Sequence, residues 1–553
     1  MQTKVLFVHT PTPVTRFTGR AGGMDFDRAN VGPLDTRTTF ASAHILASFL
    51  RERLPAAGLE PQIEGIMNMR ALPPEWEGAN RLSADSPYYR KVKEIPYAGG
   101  TMEIGWLGAP MDWLAAEIRR LQPEVVVLTA NFRFEAEVQS DVIRTIKSVN
   151  PAAKILMGGR DASFEPAYYL RAGTDVIFRE DENAYVGEVA RRFFEGKPLE
   201  GIPGIAYLQA NGAVHIGERN RARINDLPLP DLTLKLVGRP DLQVTFAHEL
   251  YTESQDGPLP GGVSTPLFHA FTSRGCANNC DFCTSAATKY DVMFAEKVTA
   301  LLTHLTANGI KTVCSAEDEV LGRILWLGDR GRELLFHYFN TIKRLGLAIE
   351  FPNGLRPSAF LKKGVNSGLV VDEELIDLAF KHDLKNGAFV GTYRTFIGLE
   401  RPFSAPAGKS LRKLAPWQDQ LKIYEAIASR KIPVIGFGVI LPLHYDDSTT
   451  PAIFDELRQN LGELKALIAN ASGGATAVRF GIFCETPLPG TRNWKDFTQI
   501  PSEPRDLQDP NLWHYFVPKG RGYSKMWDKR MRLLADIDEP GLASWLASGD
   551  YAT

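Results

Sequence analysis

The sequence predicts two α/β units in tandem: a doubly wound parallel sheet of the nucleotide-binding kind, then an open, partial (β/α)6 barrel closed by a small helical cap. Three observations predict this. A chain of 553 residues is longer than one hydrophobic core organises. Its first ~200 residues alternate short β-branched runs with helical patterns, as doubly wound sheets do. After a proline-punctuated stretch between Gly201 and Pro260, a second alternation starts at Leu267. The expected units are residues 1–200, a linker at 201–260, the barrel at 261–500 and the cap at 501–553.

In the first unit, Lys4 to His9 reads as a strand, Thr39 to Arg53 as a helix, Pro61 to Ile66 as a strand and Pro110 to Leu121 as a helix. Glu124 to Thr129 is an uninterrupted apolar run, the mark of a strand covered on both faces. A helix over Glu135 to Val149 precedes the strand Lys154 to Met157, which ends at Gly158-Gly159. Asp175 to Phe178 is the fifth strand, before a helix carrying Val186 to Phe194. In the linker, Asp226-Leu227-Pro228-Leu229-Pro230 removes ladder donors. The barrel strands fall at Leu267 to Thr272, Lys311 to Ser315, Ala348 to Phe351, Gly387 to Gly391, Val434 to Leu441 and Ala477 to Phe483, with chemistry expected at their carboxyl ends. Trp513, Tyr515, Tyr523 and Trp527 among charges mark the cap.

Composition narrows the function. A net charge of -2 gives no electrostatic basis for a nucleic-acid partner, so a small-molecule substrate is expected. No apolar run reaches the ~20 residues of a membrane helix, and Met1 to Thr10 reads as a strand rather than a signal peptide, which predicts a cytoplasmic protein with no membrane partner. Five cysteines do not make a disulfide framework in so long a chain, and three of them crowd into one loop. Cys314 and Cys484, in apolar strand-like runs, are expected as buried thiols.

That loop, Arg274-Gly275-Cys276-Ala277-Asn278-Asn279-Cys280-Asp281-Phe282-Cys283, directly follows the first barrel strand. Three thiolates hold three irons of a cubane cluster and leave the fourth open, whereas a structural zinc site closes with four ligands. No fourth cysteine or histidine follows Cys283 at short spacing.

Cysteines at this spacing, with the aromatic Phe282 before the last, resemble the radical SAM superfamily, and the resemblance runs over about 240 residues. It implies a [4Fe–4S] cluster on Cys276, Cys280 and Cys283, with S-adenosylmethionine on the open iron. Glu317 and Asp318 after the second strand, Arg356 after the third and Glu400 after the fourth resemble the family positions around the cosubstrate; taken singly, each also reads as a solvated charge or an ion-pair partner. Thr486-Pro487-Leu488-Pro489-Gly490-Thr491 resembles a landmark of the cobalamin-linked branch, and by its residues is a tight turn.

In open parallel sheets a ligand lies beyond the carboxyl ends of the strands, so the loops after His9, Ile66, Thr129, Met157 and Phe178 line one site. Met157-Gly158-Gly159-Arg160, Glu165-Pro166 and Gly173-Thr174-Asp175 resemble, in order, the cobalamin-binding domain of cobalamin-dependent radical SAM proteins. The loops after the strand ends make Thr10, Thr129 and Asn131 candidate cobalamin-binding residues, and the resemblance adds Gly158, Gly159 and Arg160. No Asp-x-His-x-x-Gly string occurs, so no histidine of that motif ligates cobalt, and His9 reads as a structural strand-end histidine. Arg179-Glu180-Asp181-Glu182 stands where the family has a glycine-containing acidic turn. Asn68, Arg70 and Trp76 are candidates for the lower corrin face, beside a plain surface role.

The resemblance implies methylation of a carbon centre of a natural-product-like small molecule, through methylcobalamin and a 5'-deoxyadenosyl radical, with an external electron donor of flavodoxin or ferredoxin type. Rearrangement, cyclisation or oxidation without methyl transfer, and non-radical tryptophan-type C-methylation, stay open. Tyr393, Phe396, His444 and Tyr445 read equally as pocket or core.

Overall fold

The computed structural model describes residues 2–492 except 22–23, 26–27, 31–40, 56–57, 71–87, 98–99, 180–184, 220–222, 239–260, 264–266, 287, 364–367, 400–415, 442–449 and 485–487. The expected cap, with its aromatic residues, lies outside the described residues, as do Trp76, Glu180 to Glu182, Glu400, His444, Tyr445, Thr486 and Pro487.

The first sheet contains β1 (Gln2–His9), β2 (Glu60–Asn68), β3 (Val125–Thr129), β4 (Lys154–Gly158) and β5 (Val176–Phe178), parallel and ordered β5-β4-β3-β1-β2. Alternate residues feed opposite faces, as a two-residue period requires. Val5, Phe7, Val125 and Val127 enter one core, while Leu6, Val8, Val126 and Leu128 enter another. Helices α1 (Ala41–Arg53), through Ala47 and Leu50, and α6 (Val186–Glu195), through Val186 and Val189, cover the first face. On the second face lie α2 (Met111–Leu121), through Leu114 and Ile118, α3 (Ala136–Val149), through Val142, Ile143 and Ile146, and the short α4 (Arg160–Phe164) and α5 (Pro166–Ala172), through Ala162, Tyr169 and Leu170. The strand order reverses between β1 and β3, which opens a crevice at their carboxyl ends.

Two features depart from the sequence expectation. Part of the stretch read as linker continues this sheet: β6 (Ile205–Leu208) pairs antiparallel with β5, and β7 (Val214–Ile216) with β6. Burial of Ile205, Ala206 and Tyr207 drives the pairing. The second departure is a separate five-stranded antiparallel sheet, built on the pairing of Thr12–Ala21 with Gly100–Leu107 and of the latter with Tyr89–Tyr97. It is anchored through Ile104 and Trp106, and the Trp106 indole donates to Asp141 of α3 at 3.0 Å.

The second sheet orders β8 (Leu267–Ala270), β9 (Thr312–Ser315), β10 (Ala348–Leu355), β11 (Ala388–Leu399), β12 (Val434–Leu441) and β13 (Ala477–Cys484) in chain sequence, each parallel to its neighbours. This is the predicted open six-stranded β/α architecture. Connecting helices α7 (Ala295–Ala307), α8 (Gly322–Leu345), α9 (Glu373–Phe380), α10 (Trp417–Ala428) and α11 (Thr450–Ser472) follow the strands. β11 runs well beyond its predicted end at Gly391, reaching Leu399. Cys314 is buried on β9 as expected, while Tyr393 is fully buried and donates to Glu350 at 2.7 Å, which makes it core. Among the described residues no helix is long and apolar enough to cross a membrane.

The candidate cluster loop and the facing corrin edge

Beyond β8 the chain makes a short bridge, Ser273–Arg274 against Asp291–Val292, and turns at Gly275, whose φ of +83° favours glycine. Cys276 follows. Its N–H donates to the Thr288 hydroxyl at 2.9 Å, and the Thr288 N–H returns to the Cys276 carbonyl at 3.0 Å, closing a loop with the other two cysteines inside it. Cys276 and Cys280 are buried; Cys283 and Phe282 are half-buried. Among the described residues no group of three or more His, Cys, Asp or Glu is gathered tightly enough to hold an ion as it stands. The three thiols share one loop between the paired Cys276 and Thr288. As a donor set, three thiols from one loop at a barrel's catalytic edge fit a cluster with one iron left open.

Two adjacent carboxylates brace this loop from β9, and they do different things. Glu317 is turned inward. It accepts from the Thr272 N–H at 3.1 Å, the Thr272 hydroxyl at 2.7 Å, the Ser273 hydroxyl and Arg323 Nη1 at 2.8 Å. Its oxygens thus hold the chain just before the cysteines, and in this structure they are engaged in a buried ion pair with Arg323. Arg323, from the start of α8, is buried and lies over the Tyr338 ring. Burial works against its charge, but Glu317 more than compensates and raises its pKa.

Asp318 faces the loop itself. It accepts from the Gly275 N–H at 2.8 Å and the Ser285 hydroxyl at 2.5 Å, and pairs with Arg160 at 2.5 Å. Burial pushes its carboxyl up; Arg160, Ser285 and the Gly275 N–H together outweigh this and hold it below the ordinary carboxylate value. Arg356 donates to the Ser358 hydroxyl at 2.7 Å and to Asn278 Oδ1 at 2.8 Å, which ties the end of β10 to the cysteine loop. Glu400 lies outside the described residues.

On the first sheet, Thr10 is buried at the β1 end. Gln139 donates to its hydroxyl at 3.2 Å and to the Thr129 carbonyl at 2.7 Å, fixing the two strand ends that flank the crevice. Arg70 donates to the Thr10 carbonyl at 3.0 Å and pairs with Glu135 at 3.1 Å, and Asn68 accepts from the Arg70 N–H at 3.0 Å. These two thus brace the crevice loops. His9 is buried, which drives its pKa well below the usual histidine value with Arg70 adding to the effect, so it is neutral. Asn131 accepts from the Arg160 N–H at 3.4 Å. Gly159 has φ +103°, and a Cβ there would stand 2.2 Å from the Ala130 carbonyl oxygen; a Cβ on Gly158 would meet nothing within 4 Å.

The two edges meet. Arg160, directly after the glycine pair, reaches Asp318 and also donates to the Thr284 hydroxyl beside Cys283 at 3.1 Å. Arg492 pairs with Asp281 inside the cysteine loop at 2.6 Å. Gly490 lies under the Phe164 ring of the short helix Arg160–Phe164, close enough that a Cβ would stand 2.0 Å from it. The Leu488 to Thr491 turn, closed by the Thr491 N–H on the Leu488 carbonyl at 3.0 Å, therefore packs against the first unit as well as turning the chain. Asn278, Thr288, Arg323 and Arg492 were not singled out by sequence. Only Asn278, between two cysteines, and Arg492, next to the proline–glycine turn, carried a positional signal.

Residues 102–187 match the family model of the B12 binding domain. The radical S-adenosylmethionine methyltransferase TsrM from Kitasatospora setae, solved with cobalamin and a [4Fe-4S] cluster, superposes with a TM-score of 0.57 at 16% identity, covering 98% of this chain and 92% of that one. The chain shares the fold of this cobalamin-binding radical S-adenosylmethionine methyltransferase. The cobalamin-dependent S-adenosylmethionine radical enzyme OxsB, solved with aqua-cobalamin and S-adenosylmethionine, gives a TM-score of 0.60 at 14% identity over 99% of this chain and 70% of that one. The sequence relative "Uncharacterized methyltransferase PH0819" of Pyrococcus horikoshii is 26% identical over 178 residues, which span 31% of this chain and 34% of the relative.

The Arg160 contacts give the two facing edges a direct link. Arg160→Ala is expected to raise hydrogen exchange across residues 275–288 several-fold while moving the unfolding midpoint little. Its side chain is half exposed, and an exposed ion pair contributes ~1 kcal/mol or less. Exchange in the loop that matches wild type would show that the link is incidental.

Proposed function

We propose that the chain is a cobalamin-dependent radical SAM enzyme that methylates a carbon centre of a small, natural-product-like molecule. The observation that carries the proposal is the single loop of three cysteines on the barrel's catalytic edge, tied through Arg160 to the glycine pair of the B12-binding unit. When bound, the cluster with S-adenosylmethionine supplies a 5'-deoxyadenosyl radical and cobalamin supplies a methyl group. The residues do the rest by holding positions. Thr288 closes the cysteine loop, and Glu317 and Asp318 fix its approach. Thr10, Thr129, Asn131, Gly158, Gly159 and Arg160 form the facing edge against which a corrin would lie. Methyl transfer, rather than another radical reaction, is supported by the names of TsrM and of the archaeal relative.

The test is anaerobic incubation of the reconstituted full chain with S-adenosylmethionine, cobalamin and dithionite, which stands in for a flavodoxin- or ferredoxin-type donor. A corrin spectrum that stays with the protein, together with formation of 5'-deoxyadenosine and S-adenosylhomocysteine, is expected. Deoxyadenosine without S-adenosylhomocysteine would replace methylation by rearrangement, cyclisation or oxidation. S-adenosylhomocysteine without deoxyadenosine would point to non-radical methylation, and neither product would overturn the proposal.

The glycine pair gives a sharper check. Gly159→Ala forces a strained backbone against the Ala130 carbonyl and is expected to cost about 1–3 kcal/mol of stability. Gly158→Ala meets no protein atom, so it is expected to leave stability unchanged while weakening cobalamin binding at least tenfold in an absorbance titration. Undiminished corrin affinity in Gly158→Ala would move the corrin away from this loop.

A further inference from the structure

We infer that Asn278 is a positioning residue that sets the reduction potential of the cluster, with its side-chain amide locked in a donating orientation by Arg356. The inference rests on the proposed cluster on Cys276, Cys280 and Cys283. The Asn278 amide nitrogen stands 3.2 Å from Cys276 Sγ, and its oxygen accepts from Arg356 Nη1 at 2.8 Å. A guanidinium carries only donors, so whatever faces Arg356 must be the amide oxygen, and the NH2 is then obliged to face the sulfur. This removes the usual ambiguity over which way an amide points. Arg356 is itself fixed, since its Nε donates to the Ser358 hydroxyl at 2.7 Å in the turn that follows β10. Cys276 is buried and Asn278 half-buried, so water competes weakly for the sulfur.

The physical consequence has a sign. Adding an electron to a thiolate-ligated cluster adds negative charge to a cage whose sulfurs are the hydrogen-bond acceptors, and a donor aimed at one of them stabilises the reduced form more than the oxidised form. The Arg356–Asn278–Cys276 chain therefore raises the potential and eases loading of the electron that cleaves S-adenosylmethionine. Neighbouring loop residues do not share this role: Ala277 and Asn279 are exposed.

Potentiometric titration of the anaerobically reconstituted full chain, followed by the electron paramagnetic resonance of the reduced cluster, tests this without turnover. Asn278→Ala is expected to load iron and sulfide like wild type and to lower the midpoint by about 59 mV, a tenfold change in the one-electron equilibrium. Asn278→Asp, which turns an acceptor toward the sulfur, is expected to lower it further. Asn278→Ser, which keeps a donor, should recover part of the shift. Arg356→Gln leaves the cysteine loop's own sequence intact; it should lower the midpoint too, and combining it with Asn278→Ala should shift less than the sum of the two. A fully loaded Asn278→Ala, Asn278→Asp or Arg356→Gln protein with the wild-type midpoint overturns this inference alone. A wild-type chain that assembles no cluster overturns the proposed function and this inference with it.

Discussion

Alanine at Cys276, Cys280 or Cys283 is expected to leave the reconstituted chain with no cluster competent for 5'-deoxyadenosine formation, while cobalamin still binds. Each thiolate accounts for one iron corner, and a cubane held by two protein ligands exposes a second iron to solvent and is lost. Corrin binding is expected to survive because the candidate corrin residues belong to a separate sheet with its own two-faced core. Iron and sulfide analysis, the visible spectrum with added cobalamin and chromatographic detection of deoxyadenosine read the three properties independently. Cys314→Ala is the control: that thiol is buried on β9, remote in sequence from the loop, and its loss should cost stability without cost to the cluster. Full iron loading in all three loop variants would remove the basis of the proposed chemistry.

What could be read from the sequence was what has a period or a run. The apolar run from Val125 to Thr129 is legible because both faces of β3 are covered. The six barrel strands are legible because each is a short β-branched or aromatic run between helical patterns. The antiparallel sheet was not legible, since its partners lie far apart in the chain, as with Thr12 and Leu107, and Tyr89–Tyr97 carries three lysine or arginine residues and a proline that read as loop. The hairpin at Ile205–Ile216 was hidden for a different reason: its flanking prolines and glycines carry the signature of a linker, and only burial of Tyr207 against β5 shows otherwise.

Within the site, sequence placed Glu317 and Asp318 at the correct strand end but could not tell their directions. Neighbouring residues beyond a strand end point different ways, and here one enters the core while the other enters the loop. Arg323 was invisible for a related reason. An arginine in a helical pattern reads as a solvated charge unless its buried carboxylate partner is known, and that partner lies on the preceding loop.

The Glu317–Arg323 pair yields the largest expected loss of stability. Glu317→Ala strands a guanidinium that is 1% exposed and removes the acceptor for the Thr272 N–H and for the hydroxyls of Thr272 and Ser273. Breaking one side of a buried pair costs about 3–5 kcal/mol, because the remaining charge is left without a counter-ion. The urea midpoint should fall accordingly, and the cysteine loop should exchange its amide hydrogens faster. Replacing both residues, as Glu317→Gln with Arg323→Met, should cost markedly less than Glu317→Ala alone, since a desolvated ion pair gains little net free energy over a neutral, well-packed pair. Glu317→Gln alone separates bracing from direct cosubstrate binding. It keeps one oxygen as an acceptor but lowers the charge facing Arg323, so a bracing role predicts reduced stability with S-adenosylmethionine affinity preserved in whatever protein remains folded. Unchanged stability with a large loss of S-adenosylmethionine affinity would instead make Glu317 a ligand of the cosubstrate, and the inward-facing ion pair would not describe the working enzyme.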